Sequence, residues 1–199
     1  MPRRCKLPMN SVAATESKPQ DLKIGSSSSI WTAPNEGRLK LNFDGSSKGK
    51  SRSKRSSIGG VYRDHNGKFI LGYAEGIGRT TSSVAEFVAL KRGLELAVKN
   101  GWRDISIEGD FKSVIDTIAS HAPLWAKKDL EQYMEIATML PLLGNTTVSH
   151  VLRKGNRVAN GFAELGHEAD TLRLWHHIPP NKVLKHLEED AQKYITPLG

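Results

Sequence analysis

Two β-rich runs, IGGVYRD and KFILGYAEG, stand on either side of His65-Asn66-Gly67. Asn-Gly between such runs is a strong signal for an antiparallel hairpin, because both residues tolerate the positive φ that tight turns need. Upstream, in RLKLNFDG, Leu39, Leu41 and Phe43 alternate with Lys40, Asn42 and Asp44, the period of a strand with one buried face. After the hairpin, VAEFVALKRGLELAVKN predicts a helix capped by Ser82 and Ser83, with Gly101 as its C′ residue. DISIEGD returns to strand periodicity, with Ile105 and Ile107 opposed to Ser106, Glu108 and Asp110. FKSVIDTIAS and KKDLEQYMEIATML predict helices, the second ending before Pro141. NTTVSHVLR predicts a fifth strand and NRVANGFAELGHE a further helix. PPNKVLKHLEEDAQKYI opens with prolines suited to a first helical turn and predicts a short outer helix. Three strands followed by alternating helices and strands imply an α/β fold, a mixed five-stranded sheet flanked by helices.

A chain of 199 residues, 38% hydrophobic, suffices for one domain with tails. Residues 1–37 read as a disordered, basic and Ser-rich leader, 38–169 as the domain, and 170–199 as a C-terminal extension with a short helix. Lys plus Arg number 29 against 21 acids, a net charge of +8 that draws polyanions. Solvated lysines produce the same balance, so charge alone does not decide. The one cysteine, Cys5, excludes an intramolecular disulfide and a Cys/His zinc framework, and fits a reducing compartment. No stretch reaches the roughly 18 to 20 apolar residues of a membrane span, so no membrane partner is expected. MPRRCKLPMN is basic with no apolar core behind it, which argues against a secretory signal; residues 1–15 hold no acid, so an organelle transit peptide stays open. The expected location is intracellular, in nucleus or cytoplasm, and the expected state a monomer.

Three acids fall at element ends. Asp44 lies near the end of the first strand, Glu86 near the start of the long helix, and Asp110 at the end of the fourth strand. Such termini let side chains converge in a cleft beside a sheet. Capping and solvation place acids at element ends too; a first-turn Glu complements the helix dipole.

KLNFDGSSKG, IGGVYRDHNGKFILGYAEGIG, SSVAEFVALKRGLELAVKNGWRDISIEGD and SHVLRKGNRVANGFAELG, in this order, resemble the plant ribonuclease H-like domain, found also at the end of plant non-LTR retroelement polyproteins. The likeness runs from about Trp31 to Asp190 and includes an IPP…L…LEED tail. It implies a ribonuclease H-like fold in which Asp44, Glu86 and Asp110 match the first three metal-binding acids. The implied activity is hydrolysis of the RNA strand of RNA–DNA hybrids with two Mg2+ ions about 4 Å apart, Mn2+ being the alternative. An integrase-like site would run Asp, Asp, Glu, and a proofreading exonuclease would begin D-x-E; neither order is present.

The resemblance departs at the fourth acid. The family carries N-x-V-A-D where this chain reads Asn156-Arg157-Val158-Ala159-Asn160. An amide oxygen still ligates a cation but adds no charge, so one metal site should fill less readily. Glu164, one turn on, is a candidate to compensate. A catalytically weak module that binds nucleic acid is the alternative reading, and a protein-interaction scaffold a third. For substrate grip, Lys48, Lys50, Arg52, Lys54 and Arg55 in the 46–57 loop are candidate phosphate contacts, against a localisation signal or a merely solvated turn. Gly45 and Ser46 resemble family positions whose backbone approaches the RNA strand. Lys127 and Lys128, beside Trp125, form a second candidate patch. Of His150, His167, His176 and His177, read as core or surface residues, only His167 stands close enough to Asn160 in sequence to test as a proton shuttle.

Overall fold

The structure, a computed structural model, describes residues 23–24, 28–47, 55–120 and 127–195. Its strands are β1 (Lys23–Ile24), β2 (Lys40–Ser47), β3 (Ser56–Arg63), β4 (Phe69–Gly78), β5 (Ser106–Gly109), β6 (Thr147–His150) and β7 (Arg173–His176). Its helices are α1 (Ser82–Lys99), α2 (Lys112–Ser120), α3 (Lys127–Met139), α4 (Arg157–Gly166) and α5 (Asn181–Ile195). They build one mixed sheet in the order β1-β6-β5-β2-β3-β4-β7. β2, β3 and β4 form an antiparallel meander, while β5 lies parallel to β2 and β6 parallel to β5.

The expected five strands are the central ones; the sheet has seven. β1 and β7 are the additions: β1 has only 2 residues, and β7 is largely exposed, so neither displays a buried-exposed alternation. Packing also begins upstream of Arg38, for Trp31 is only 2% exposed. Beyond residue 169, β7 pairs with β4 and Val183 of α5 joins Phe162 and Val158 of α4 in a second apolar cluster.

The alternation in β2 sorts the two faces. Leu41 and Phe43 enter the main core with Phe87, Leu90 and Leu94 of α1 and Ile115 of α2. Lys40, Asn42 and Asp44 turn to the other face, toward α4 and α5. That face takes α4 closely: a Cβ on Gly59 of β3 would stand 2.1 Å from the Ala163 amide nitrogen. The hairpin closes as its turn residues require, with Gly67 at φ 76° and the Asp64 carboxylate accepting from the Asn66 and Lys68 amides at 2.9 Å each.

Local expectations change in two places. α1 is capped by Thr81 rather than Ser82 or Ser83: Thr81 has the extended backbone of a cap and its Oγ1 accepts from the Val84 amide at 3.2 Å. Ser83 instead donates to Asp129 of α3. The second change concerns the 46–57 segment, read as a loop. Ser46 and Ser47 remain in β2, paired with Ser57 and Ser56 of β3. Backbone pairing needs no apolar side chain, and the hydroxyls find carbonyls: Ser57 donates to Ala163 at 2.6 Å and Ser47 to Thr80 at 3.1 Å.

Arg63, at the end of β3, is 1% exposed and donates to Asp190 of α5 at 2.8 Å, while its guanidinium lies 3.6 Å from the centre of the Trp31 ring. Removing one member of a buried ion pair leaves the other charge uncompensated. Asp190→Ala should therefore lower unfolding free energy by about 3–5 kcal/mol in urea denaturation, and Asp190→Asn, which keeps an acceptor for Arg63, by clearly less.

Candidate metal centre

Helix α1 presses its first turns directly on β2. Gly45 permits it, since a Cβ there would stand 2.3 Å from the Glu86 amide nitrogen and 2.4 Å from the Ala85 carbonyl carbon. This brings Glu86, 3% exposed, beside Asp44, 4% exposed. Parallel pairing of β5 with β2 sets Phe43 opposite Gly109, so Asp110 emerges next to Asp44. Oxygen atoms of Asp44, Glu86 and Asp110 all lie within 4.8 Å of one another. The three acids singled out in the sequence thus meet at one point.

The cluster is electrostatically strained. Burial, then the nearby Asp110 carboxylate, pushes Asp44 up to about 7. Burial, then Asp44 and Asp110, pushes Glu86 up to about 10. A hydrogen bond from the Gly45 amide and the charge of Arg153 pull Glu86 the other way. Arg153, 78% exposed at its side chain, has Nη1 3.8 Å from Asp110 Oδ2. It sits in a single 3-10 turn, Arg153–Gly155, between β6 and α4. Sequence reading missed it, because a turn of three residues has no periodicity and one arginine in a basic chain carries no signal.

Asn160 falls on the cluster side of α4. Asn156 donates to the Phe43 carbonyl at 2.9 Å, one residue before Asp44, and the charge of Glu164 is felt at Asp44. Asn160 lies between the two at i,i+4 spacing, on the same stripe. Its Oδ1 is buried and has no hydrogen-bond partner among the described residues, and the same holds for Glu86 Oε2 and Asp110 Oδ2. Buried oxygen acceptors without donors, grouped with three carboxylates, are the ligand set a hard cation takes. The donor set therefore fits a divalent ion such as Mg2+.

The proposed gripping residues are less gathered. Lys48, Lys50, Arg52 and Lys54 lie outside the described residues. Arg55 is exposed and pairs with Asp170 at 3.1 Å. Lys127 and Lys128 open α3, but their side chains lie outside what is described. Gly45 is occupied by the α1 contact. Ser46 Oγ stands 3.0 Å from His167 Nε2, which puts that histidine on the Asp44 face of β2. His150 Nε2 is 3.2 Å from the Asp110 carbonyl. Gly45-Ser46-Ser47-Lys48-Gly49 has the spacing of a serine nucleophile elbow. Ser47, however, lies within a regular strand and gives its proton to Thr80.

Residues 42–166 match the family model described as reverse transcriptase-like. A protein of Arabidopsis thaliana that bears a ribonuclease H name is 27% identical over 169 residues, 81% of this chain and 26% of that protein. Ribonuclease HI of Halobacterium salinarum is 28% identical over 130 residues, 64% of this chain and 63% of that one. The chain thus spans about a quarter of the first relative and under two thirds of the second. Among solved structures, RNase H1 from Halobacterium salinarum superimposes with TM-score 0.62 at 26% identity, covering 66% of this chain and 98% of its own. LC11-RNase H1, solved in complex with an RNA/DNA hybrid, gives TM-score 0.59 at 22% identity over 65% of this chain and 96% of its own. The expected ribonuclease H-like fold is the one these structures share. Among the described residues no helix is long and apolar enough to cross a membrane.

Folding raises the proton affinity of Asp44 and Glu86, so between about pH 4 and 7 the folded chain holds more protons than the unfolded one. Stability in EDTA should accordingly fall as pH rises through this window, and Mg2+ should restore it. Asp44→Asn removes one repelling charge and should stabilise the EDTA-treated protein at pH 7.5 by on the order of 2 kcal/mol, several degrees in Tm. Scanning fluorimetry at pH 5 and 7.5 checks both signs.

Proposed function

The chain belongs to the reverse transcriptase-like family, and from that premise we propose that it is a metal-dependent endoribonuclease that hydrolyses the RNA strand of RNA–DNA hybrids by a two-metal mechanism. The observation that carries this reading is the convergence of two buried carboxylates and a half-buried third within 4.8 Å, with acceptor oxygens that no donor among the described residues satisfies. In this reading Asp44, Glu86, Asp110 and Asn160 hold the ions, Mg2+ by preference and Mn2+ as substitute. When bound, such ions supply a water of lowered pKa and charge relief at phosphorus and the leaving oxygen. Asp44, Glu86 and Asp110 would supply carboxylate oxygens to the ions, and Asn160 a neutral amide oxygen. Burial excludes bulk water from this corner, which strengthens every charge interaction there.

The chain's bases have separate work. Arg153, exposed and beside Asp110, is placed to meet a phosphate arriving at the acids, and its charge lowers the proton affinity of Asp44 and Glu86. Ser46, held by His167, offers a hydroxyl on the same strand face as Asp44, where a 2′-hydroxyl would distinguish RNA from DNA. Lys48, Lys50, Arg52, Lys54, Arg55, Lys127 and Lys128 provide sequence-independent phosphate contacts. We propose that the protein acts as a monomer inside the cell, in nucleus, cytoplasm or an organelle.

Asn160 favours a second reading, a family member that binds nucleic acid with little or no turnover. Cleavage of a labelled RNA–DNA hybrid in Mg2+ and in Mn2+ separates the two. The nuclease reading expects cleavage that Asp44→Asn abolishes, and that Asn160→Asp raises at low Mg2+. Salt-sensitive binding without cleavage in either metal establishes the binding module instead. Arg153→Ala should reduce kcat/KM by roughly 10–100-fold, the loss of about 1.5–3 kcal/mol for a charge-assisted contact.

A further inference from the structure

Directly behind the two strand-borne acids runs a second row of polar side chains. Asn42 is two residues before Asp44 and Glu108 two before Asp110, hence on the same sheet face, about 6.6 Å behind. The β2–β5 register sets Asn42 opposite Glu108, and Asn42 Nδ2 donates to Glu108 Oε2 at 3.3 Å. The row is buried: Asn42 is 0% exposed, Arg63 1%, Lys40 4% and Glu108 7%.

Its polar atoms are bound both by neighbouring strands and by Trp31, Thr32 and Asp190 from outside the sheet. Asn42 Oδ1 accepts from Trp31 Nε1 at 2.8 Å and from Arg63 Nη2 at 3.0 Å. Arg63 is itself held by Asp190 and by the Trp31 ring. Lys40 donates to Glu108 and to the Thr32 carbonyl, and Ser149 donates to Glu108 at 3.4 Å. Trp31 and Asp190 both fall outside residues 42–166, the stretch the family model matches. The acids lie within the stretch the family model spans, and segments on either side of it contribute Trp31 and Asp190 to the clamp behind them.

We propose that Trp31 and Asp190 are positioning residues for the metal centre, setting through Asn42 and Arg63 the spacing between the β2 and β5 ends that carry Asp44 and Asp110. The proposal rests on the metal reading above. Two carboxylates at close range push the strand ends apart, and the cross-strand Asn42–Glu108 bond opposes that push from behind. Trp31 Nε1 is one of two donors that hold the Asn42 amide in the orientation that aims Nδ2 at Glu108. Without it the amide turns more freely, the cross-strand bond weakens, and the acids lose the fixed separation a cation requires.

The test is Mn2+ affinity, measured on the full chain by electron paramagnetic resonance, with Tm recorded in parallel. Trp31→Phe keeps an aromatic ring beside Arg63 while deleting the N–H together with part of the indole; Asp190→Asn keeps an acceptor and deletes the charge. Ile136→Val in the α3 core is the control for instability without contact to the row. Both clamp variants should bind Mn2+ roughly 10-fold more weakly well below their Tm, while Ile136→Val keeps wild-type affinity. Clamp variants with lowered Tm but wild-type affinity would overturn the positioning role and leave a structural brace. A wild-type protein that binds no Mn2+ would overturn the metal reading itself.

Discussion

The acid end of the sheet depends on a helix backbone lying on a strand with no side chain between them. At Gly45 the approach is so close that any larger residue would collide with the Glu86 amide. From this contact follows the placement of Glu86 beside Asp44, the hydrogen bond that the Gly45 amide donates to the Glu86 carboxylate, and the seating of Leu41 and Phe43 under α1. Asp110 joins through the parallel ladder, which needs nothing more than registry between Phe43 and Gly109. Three side chains from three elements are thus fixed by backbone geometry, leaving their carboxylates little freedom to move apart.

Charge distribution sharpens this arrangement. A chain with a net charge of +8 brings three carboxylates together at one corner of the sheet. Asn160 moderates the strain: an Asp in its place would add a fourth repelling charge to a site where Asp44 already resists ionisation. Arg153 moderates it from the solvent side. The neutral amide and the exposed guanidinium act in the same direction, each lowering the electrostatic cost of holding the acids together before any cation arrives.

Much of this was legible in the sequence because it is carried by period. The alternation of Leu39, Leu41 and Phe43, the Asn66-Gly67 turn and the helical repeats announce the central strands and the helices. The acids were legible as positions at element ends, and the resemblance ordered them. Their mutual distance was not, since it depends on how β5 docks against β2 across the 58 residues between Ser47 and Ser106. Thr81, rather than a following serine, caps α1 because capping requires an extended backbone, a property of conformation and not of residue type. Arg153 and the His167–Ser46 contact lie in turns and caps, where no repeat exists to read. The polar row behind the acids was hidden for the opposite reason: Lys40, Asn42 and Arg63 look like solvent-facing positions of strands, and the cover over them comes from distant segments.

That cover has a bearing on how the domain forms and comes apart. Arg63 and Asp190 are 127 positions apart along the chain, so joining them early in folding would close a very long loop before most stabilising contacts exist. The meander and α1, whose contacts are local, are the better nucleus, and α5 docks after it. Interactions absent from the rate-limiting step act on the reverse reaction. The clamp on Arg63 therefore works as a latch: it adds little to the speed of folding and lengthens the lifetime of the folded molecule.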